Sequence, residues 1–416
     1  MHDRIARLAK EYHAEITAVR RHLHQHPELS WQERETSSFI QEFLRGLGVE
    51  MRTGIAGYGV IAIIRGKQPA PPRIPISNEE QGEGRTVGLR ADIDALPITE
   101  KSGAPHASQN SGVMHACGHD GHTATLLGAA KILAQLRNDF HGTVVCVFQP
   151  AEENGGGGAK LLRDGALNDF SIDGFFALHA WPYIPIGTIG IREGAMMAAI
   201  DDFEIIMRGK SGHAAHPMVA VDPVLIAAHL VIALQSLVTH ERHGADPLVL
   251  TVTMIHGGTA DNVIPPEVKI NGTLRTMQTE TRERMNRRLV EVAQSVATTF
   301  HGTAEVAIER GYPTLVNDSA MLARVAKVAK DVVGPENVIE IKEPSMGGED
   351  FAYYLQKYPG AMFRLGVGPN QPLHSDAFDF SDAALEIGMR MMAGVAIDVL
   401  HLTESTTART LVASGR

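Results

Sequence analysis

The order of apolar runs predicts an α/β protein: a mostly parallel sheet flanked by helices, interrupted by an inserted α+β domain of ferredoxin-like order. Three observations predict it. Short apolar runs alternate with helical segments through the first half, residues of about 200–310 follow a β-α-β-β-α-β grammar, and elements of the first kind resume afterwards. A chain of 416 residues also exceeds the size at which a single core stops growing, so a second domain is the default.

Residues 5–23 and 33–47 carry apolar side chains at helical spacing, and the second run ends at Gly48, a natural C-terminal stop. Strand-like runs follow at 60–64, 87–89, 144–148, 175–178 and 362–365, with helical segments at 123–136 and 159–167 between them. Residues 68–85, rich in Pro, Glu and Gly, read as a solvent-exposed loop. In the insert, 200–208 alternates as a strand, and 221–238 is helical with Asp222 as N-cap and Pro223 at the first helical position. Strands at 249–255 and 268–275, a helix at 280–300 capped by Thr279, and a strand at 303–309 complete it. The predicted division is 1–198 with 311–416 as one domain and 199–310 as the other.

Composition narrows the function. Hydrophobic residues at 44% and charged residues at 21% are ordinary for a folded enzyme. A formal charge of -10 leaves no basic surplus for phosphates, so neither nucleic acid nor an anionic membrane is expected as partner, and a small molecule is. Cys117 and Cys146 alone make no disulfide framework and point to a reducing compartment. The amphipathic N-terminus lacks the features of a signal peptide, and no stretch approaches the roughly 20 apolar residues that span a bilayer. A cytoplasmic location is the expectation.

Four segments carry candidate chemistry. MHACGHDGH (114–122) packs Cys117 and His119 into a glycine-containing turn ahead of a helix, offering a thiolate and an imidazole, both ligands for zinc and its neighbours. FQPAEE (148–153) ends an apolar strand at Pro150 and presents Glu152 and Glu153 side by side, so that one can bind metal while the other serves as general base. His179 closes another buried-looking strand, and His374 lies in the polar loop LHSD. Each alone has a plainer reading: a helix-capping histidine, a small buried cysteine, a solvated acidic loop. Their convergence beyond the carboxyl ends of sheet strands favours a shared centre, and five candidate ligands exceed one tetrahedral site, which points to a pair of ions.

RADIDALP (90–97), MHACGHDGHT, FQPAEE, LHAWP (178–182), GKSGHAAHP (209–217), GGTADNVIP (257–265), GTLRT (272–276), GGEDFAYY (347–354) and PLHSD (372–376) together resemble the hippurate hydrolase and N-acyl-amino-acid amidohydrolase family. That family lies within the clan of two-metal aminoacylases and carboxypeptidases, and includes the auxin-conjugate hydrolases. The resemblance implies that Cys117, His119, Glu153, His179 and His374 hold two divalent ions, Mn²⁺ or Zn²⁺ with Co²⁺ or Ni²⁺ also accommodated, and that Glu152 is the general base. It implies further that Asp94 orients the centre, and that Cys117 replaces a clan histidine whose position is Asp92 here. In the insert, which the resemblance makes a lid and dimerisation domain, His213 would steady the oxyanion, while Asn262 and Arg275 would hold the substrate carboxylate. A homodimer or homotetramer through that lid is implied, acting on a small N-acyl amino acid. The alternatives are a metallo-carboxypeptidase or dipeptidase, a cysteine hydrolase with Cys117 as nucleophile, and a non-catalytic binding protein that keeps an enzyme fold.

Overall fold

The computed structural model describes residues 1–68, 84–242, 244 and 246–401. The loop expected at 68–85 falls, apart from its ends, outside the described residues. The chain forms two compact units: Met1–Gly194, Asn317–Lys342 and Tyr353–Arg416 make the first, and Ala195–Val316 with Glu343–Ala352 the second.

The first unit is built on a sheet of eight strands among the described residues, in the order Glu50–Ile55, Gly59–Arg65, Thr143–Gln149, Thr86–Asp92, Ile172–Pro185, Gly360–Gly368, Ile189–Ile191, Val338–Glu340. The four central strands run parallel. Their carboxyl ends therefore share one edge, where open α/β sheets gather ligands. Antiparallel pairings join the first two strands to this block and set Ile189–Ile191 against Gly360–Gly368. Val144, Val145, Cys146, Val147 and Phe148 are all fully buried, as expected of a strand covered on both faces, where no side faces water and no alternation survives. The helices His2–Gln25, His119–Gln135 and Leu385–Leu400 pack on one another. Gly121 lets the second of these approach closely, since a Cβ there would lie 2.2 Å from the Phe380 ring.

Local boundaries differ from the sequence reading for identifiable reasons. The helix begins at His119 and not at 123, because Gly118 adopts φ +88° and turns the chain directly into it. The strand at 175–178 extends over Ile172–Pro185, held along its length by the register with Gly360–Gly368. The edge strand Glu50–Ile55 lacks an apolar run and was not legible.

The second unit holds a four-stranded antiparallel sheet, ordered Leu248–Gly257, Glu267–Thr276, Ala199–Arg208, Thr303–Arg310. With helices Pro223–His240 and Thr279–Thr299 it has the split β-α-β order of a ferredoxin-like unit. Phe203, Ile205, Met207, Leu230, Leu234, Met285 and Leu289 form its core. Asp222 caps the first helix, accepting from the N–H groups of Val224 and Leu225. Thr279, expected as a cap, is instead the first helical residue: Gln278 occupies the N-cap position and makes no side-chain capping bond. By length and composition alone the 18-residue helix Pro223–His240 is apolar enough to cross a membrane, the one such helix among the described residues. Ile226, Ala227, Leu230, Leu234 and Leu237 on it are buried in the unit's own core, so this face is built for protein packing.

Candidate metal centre

The clustered donor side chains come from the central strands and the segments that follow them: Cys117 and His119 from the loop and helix start after Thr86–Asp92, Glu152 and Glu153 just beyond Thr143–Gln149, His179 from within Ile172–Pro185, and His374 after Gly360–Gly368. Thr86–Asp92 leads into Asp94, and Gly118 starts the helix that begins with His119. Thr143–Gln149 ends at Pro150, after which Ala151, at φ +54°, reverses the chain and presents Glu152 and Glu153. That reversal is held from two sides. The buried Glu33 carboxylate accepts the Ala151 N–H at 2.8 Å, and the Ala151 carbonyl accepts from Gly157 N–H at 2.9 Å. Gly157 is obligatory here because a Cβ would lie 1.8 Å from the Pro150 carbonyl oxygen. His374 also stands at positive φ, +64°, with its N–H docked on the Ala116 carbonyl at 2.8 Å. Strained backbone of this kind collects where a site over-determines the conformation.

The donor atoms converge. Cys117, His119 and His179 offer ligand atoms within 4.8 Å of one another; so do Cys117, Glu153 and His374, and His119, Glu152 and Glu153. Cys117 Sγ lies 3.5 Å from His179 Nε2. His119 Nε2 lies 3.8 Å from Glu153 Oε1, which is itself 3.5 Å from His374 Nε2.

Tautomers follow from the outer hydrogen bonds. His119 Nδ1 donates to the Asp94 carbonyl at 2.9 Å and His179 Nδ1 to the Ala180 carbonyl at 2.7 Å, so in each ring Nε2 is the nitrogen turned inward, toward where a cation would sit. His122 belongs to the same cluster but is saturated: Nδ1 donates to Asp92 Oδ1 at 2.7 Å, and Nε2 accepts the Ala180 N–H at 2.8 Å. It positions the strand that carries His179 and has no nitrogen left for a ligand. Asp92 is likewise engaged, by Arg90 Nη1 at 2.6 Å on its other oxygen. Asp94 Oδ2 accepts from Ser30 Oγ at 2.7 Å and from Glu153 N–H at 2.9 Å, which ties the acidic turn to the strand beside it.

The electrostatics are those of a cluster short of positive charge. Burial pushes the Glu153 carboxyl up to about 7 and raises the Cys117 thiol. Burial opposes protonation of His119, but Asp92, Asp94 and Cys117 overcome it and raise the imidazole well above its ordinary range. His179 is lowered by its burial, and His374 by burial and then by His119. Three buried atoms, His119 Nε2, Glu153 Oε1 and Asp94 Oδ1, have no hydrogen-bond partner. A buried polar atom without a partner costs roughly 1–3 kcal/mol. Soft and hard donors aimed at one point, holding protons that a cation would displace, fit borderline divalent metals.

The remaining residues marked in the sequence lie in the second unit and are described within it. His213 is exposed, on the two-residue strand Gly212–His213 paired with Val263–Ile264. Its Nδ1 accepts the Ala215 N–H at 3.0 Å, which puts the ring proton on Nε2 as a donor to the outside. The Asn262 carbonyl accepts from Ala214 N–H at 3.0 Å, so both residues belong to one loop pair. Arg275, on Glu267–Thr276, donates from Nη1 to the Met346 carbonyl at 3.1 Å. Sequence reasoning did not single out Glu33, Ser30 or the saturation of His122. The glutamate and serine stand in no motif, and only the fold brings them to the turns they hold.

The chain is similar to known proteins over nearly its whole length. The profile of peptidase family M20/M25/M40 matches residues 88–398. N-acetyl-L-cysteine deacetylase of Bacillus subtilis (strain 168) is 40% identical over 375 residues, covering 89% of this chain and 85% of its own. Thermostable carboxypeptidase 1 of Saccharolobus solfataricus is 36% identical over 391 residues, covering 92% and 94%. Among solved structures, the YXEP protein of Bacillus subtilis, described as a dinuclear metal binding peptidase of the M20 family, superposes with a TM-score of 0.80 at 34% identity, covering 95% of this chain and 99% of that one.

Proposed function

This chain belongs to peptidase family M20/M25/M40, and on that premise we propose that it is a metal-dependent amidohydrolase that removes the acyl group from a small N-acyl amino acid. The observation that carries the reading is the pair of donor groups, Cys117 with His119 and His179, and Cys117 with Glu153 and His374, beside the buried Glu152. These five residues would hold two divalent cations, with Cys117 common to both groups; the thiolate and imidazoles suit Zn²⁺ and the carboxylate suits Mn²⁺, with Co²⁺ and Ni²⁺ also accommodated. Bound there, the ions supply Lewis-acid polarisation of the amide carbonyl and acidify a water.

The proton steps fall to Glu152. It takes a proton from the water as the oxygen attacks the acyl carbon, and returns that proton to the nitrogen as the C–N bond breaks, giving a carboxylic acid and a free amine. His213 is assigned the oxyanion contact, supported by its outward Nε2–H. Asn262 and Arg275 are assigned the substrate carboxylate, and the planar guanidinium suits that group. The carboxypeptidase relative favours a second reading, in which the acyl group is itself an amino acid and the substrate a short peptide.

A homodimer or homotetramer through the second unit is part of the proposal. Val224 at 48%, Leu225 at 49% and Ile232 at 72% exposure stand on the helix Pro223–His240, and Met254 and Ile255 on a sheet edge. Such apolar surface is costly to leave in water. The two free, buried thiols suit a reducing compartment, and the cytoplasm is the proposed location.

The test is a panel of N-acetyl and N-benzoyl amino acids and dipeptides, assayed on protein stripped of metal and reconstituted with Mn²⁺ or Zn²⁺. Metal-dependent release of amino acid from the acylated substrates is expected. Turnover of dipeptides alone would move the assignment to the peptidase reading, and activity that survives chelation would overturn the metal centre.

A further inference from the structure

A second buried cluster in the first unit takes no part in the chemistry just described. Arg20 and His24, one turn apart on the helix His2–Gln25, are 1% and 0% exposed. Arg20 Nη1 donates to Asp379 Oδ1 at 2.6 Å and reaches Asp120 Oδ2 at 3.4 Å, while its Nε donates to Asp382 Oδ1 at 2.9 Å. His24 Nδ1 meets the same Asp120 oxygen at 2.8 Å, and its Nε2 meets Glu100 Oε1 at 3.2 Å. His106 completes the cluster, with Nε2 at 3.1 Å from both Arg20 Nη2 and Asp379.

The partners are what matter. Asp120 directly follows His119 in the first turn of its helix, and Asp379 and Asp382 lie on the segment that begins with His374. One guanidinium thus joins the turn that carries Cys117 and His119 to the segment that carries His374. We infer that Arg20, supported by His24, is a positioning residue that fixes the spacing between these two halves of the ligand set.

The inference rests on the two-cation reading above. A buried ion pair is poor at adding stability, because desolvation consumes most of the Coulombic gain. What a planar, always-charged fork supplies is geometry, since its donors hold several carboxylates at set angles. His374 needs that support most: its side chain is 53% exposed and its backbone is at φ +64°. The segment keeps other anchors, because Phe378 and Phe380 are buried in the core, so cutting one arm of the network leaves it docked.

Asp379→Asn makes that cut at a side chain 33% exposed, with Asp120 and Asp382 still paired to Arg20. Mn²⁺ titration against a competing chelator should show the weaker of two equivalents bound about 10–100-fold less tightly, the usual cost of losing a group that orients a ligand, with the tighter one little changed. Asp379→Glu should restore most of the affinity. Arg21→Ala, which breaks only an exposed pair with Asp382, should leave both equivalents alone. Arg20→Lys should behave like Asp379→Asn, and if it does not fold the asparagine variant decides. Unchanged affinity in Asp379→Asn, whether or not its Tm falls, would show a merely structural network and overturn the inference. A parent protein that takes up fewer than two equivalents would sink the two-cation reading and this inference with it.

Discussion

The two units present their polar residues in opposite ways. In the first, Cys117, His119, Glu152 and His179 are buried, gathered from the central parallel strands and the segments after them, with His119 and the Glu153 N–H both held by Asp94 and His179 held by the Ala180 carbonyl. In the second, His213 is exposed on a two-residue strand of an antiparallel unit whose main sheet is satisfied by its own ladder. Each arrangement limits what its residues can contribute. Parallel strands bring distant residues to one desolvated edge, where charge is worth most. An exposed donor on a short loop pair can act only once something covers it.

The largest effect expected of this contrast is on turnover. Glu152→Gln should lower turnover by about 10²–10⁴-fold while metal content measured by elemental analysis stays at the parent level. A fully metallated variant with near-parental turnover would remove the first unit's claim to the proton chemistry. His213→Ala should cost about 10²–10³-fold in kcat with metal affinity unaltered. A loss below twofold would reduce the second unit to a scaffold.

The third concerns the buried network. Burial disfavours charge on His24, yet Asp120 and Glu100 outweigh it, and against the neighbouring Arg20 they raise its pKa to about 9. A folded-state pKa above the unfolded value near 6.5 gives stability that is fully present below pH 6.5 and lost as pH rises through 9. Urea midpoints should therefore fall over that interval by the equivalent of roughly 2–3 kcal/mol, and His24→Gln should flatten the slope. Parallel curves for parent and variant would refute the linkage. The smallest effect belongs to the second unit: Asp222→Ala should cost about 1 kcal/mol of its stability, read by denaturant unfolding, with activity at low temperature unchanged. A cost near zero would mean that the helix Pro223–His240 is held by packing alone.

Much of the centre was legible because its motifs are local. A thiol and an imidazole two residues apart in a glycine turn, or two glutamates after a strand that stops at proline, advertise their chemistry without a fold. Thr279 shows the limit, since a capping residue type at a helix start was displaced by one position when Gln278 took the extended conformation. His122 shows it more sharply. It shares a nine-residue motif with His119, and only the Asp92 carboxylate and the Ala180 N–H, 30 and 58 residues away in sequence, separate a saturated histidine from an open one.

By itself the chain's pattern determined that strands with near-continuous apolar runs would be buried in a parallel sheet, that a β-α-β-β-α-β segment would form its own antiparallel unit, and which side chains have ligand chemistry. The tertiary structure alone decided which lone pairs remain available. Glu33 reaches Ala151 across 118 residues and Arg20 reaches Asp379 across 359, and no local pattern encodes either contact. The reason is physical: residue type sets what an atom can donate or accept, but whether it is still free depends on every neighbour that burial places within about 3 Å.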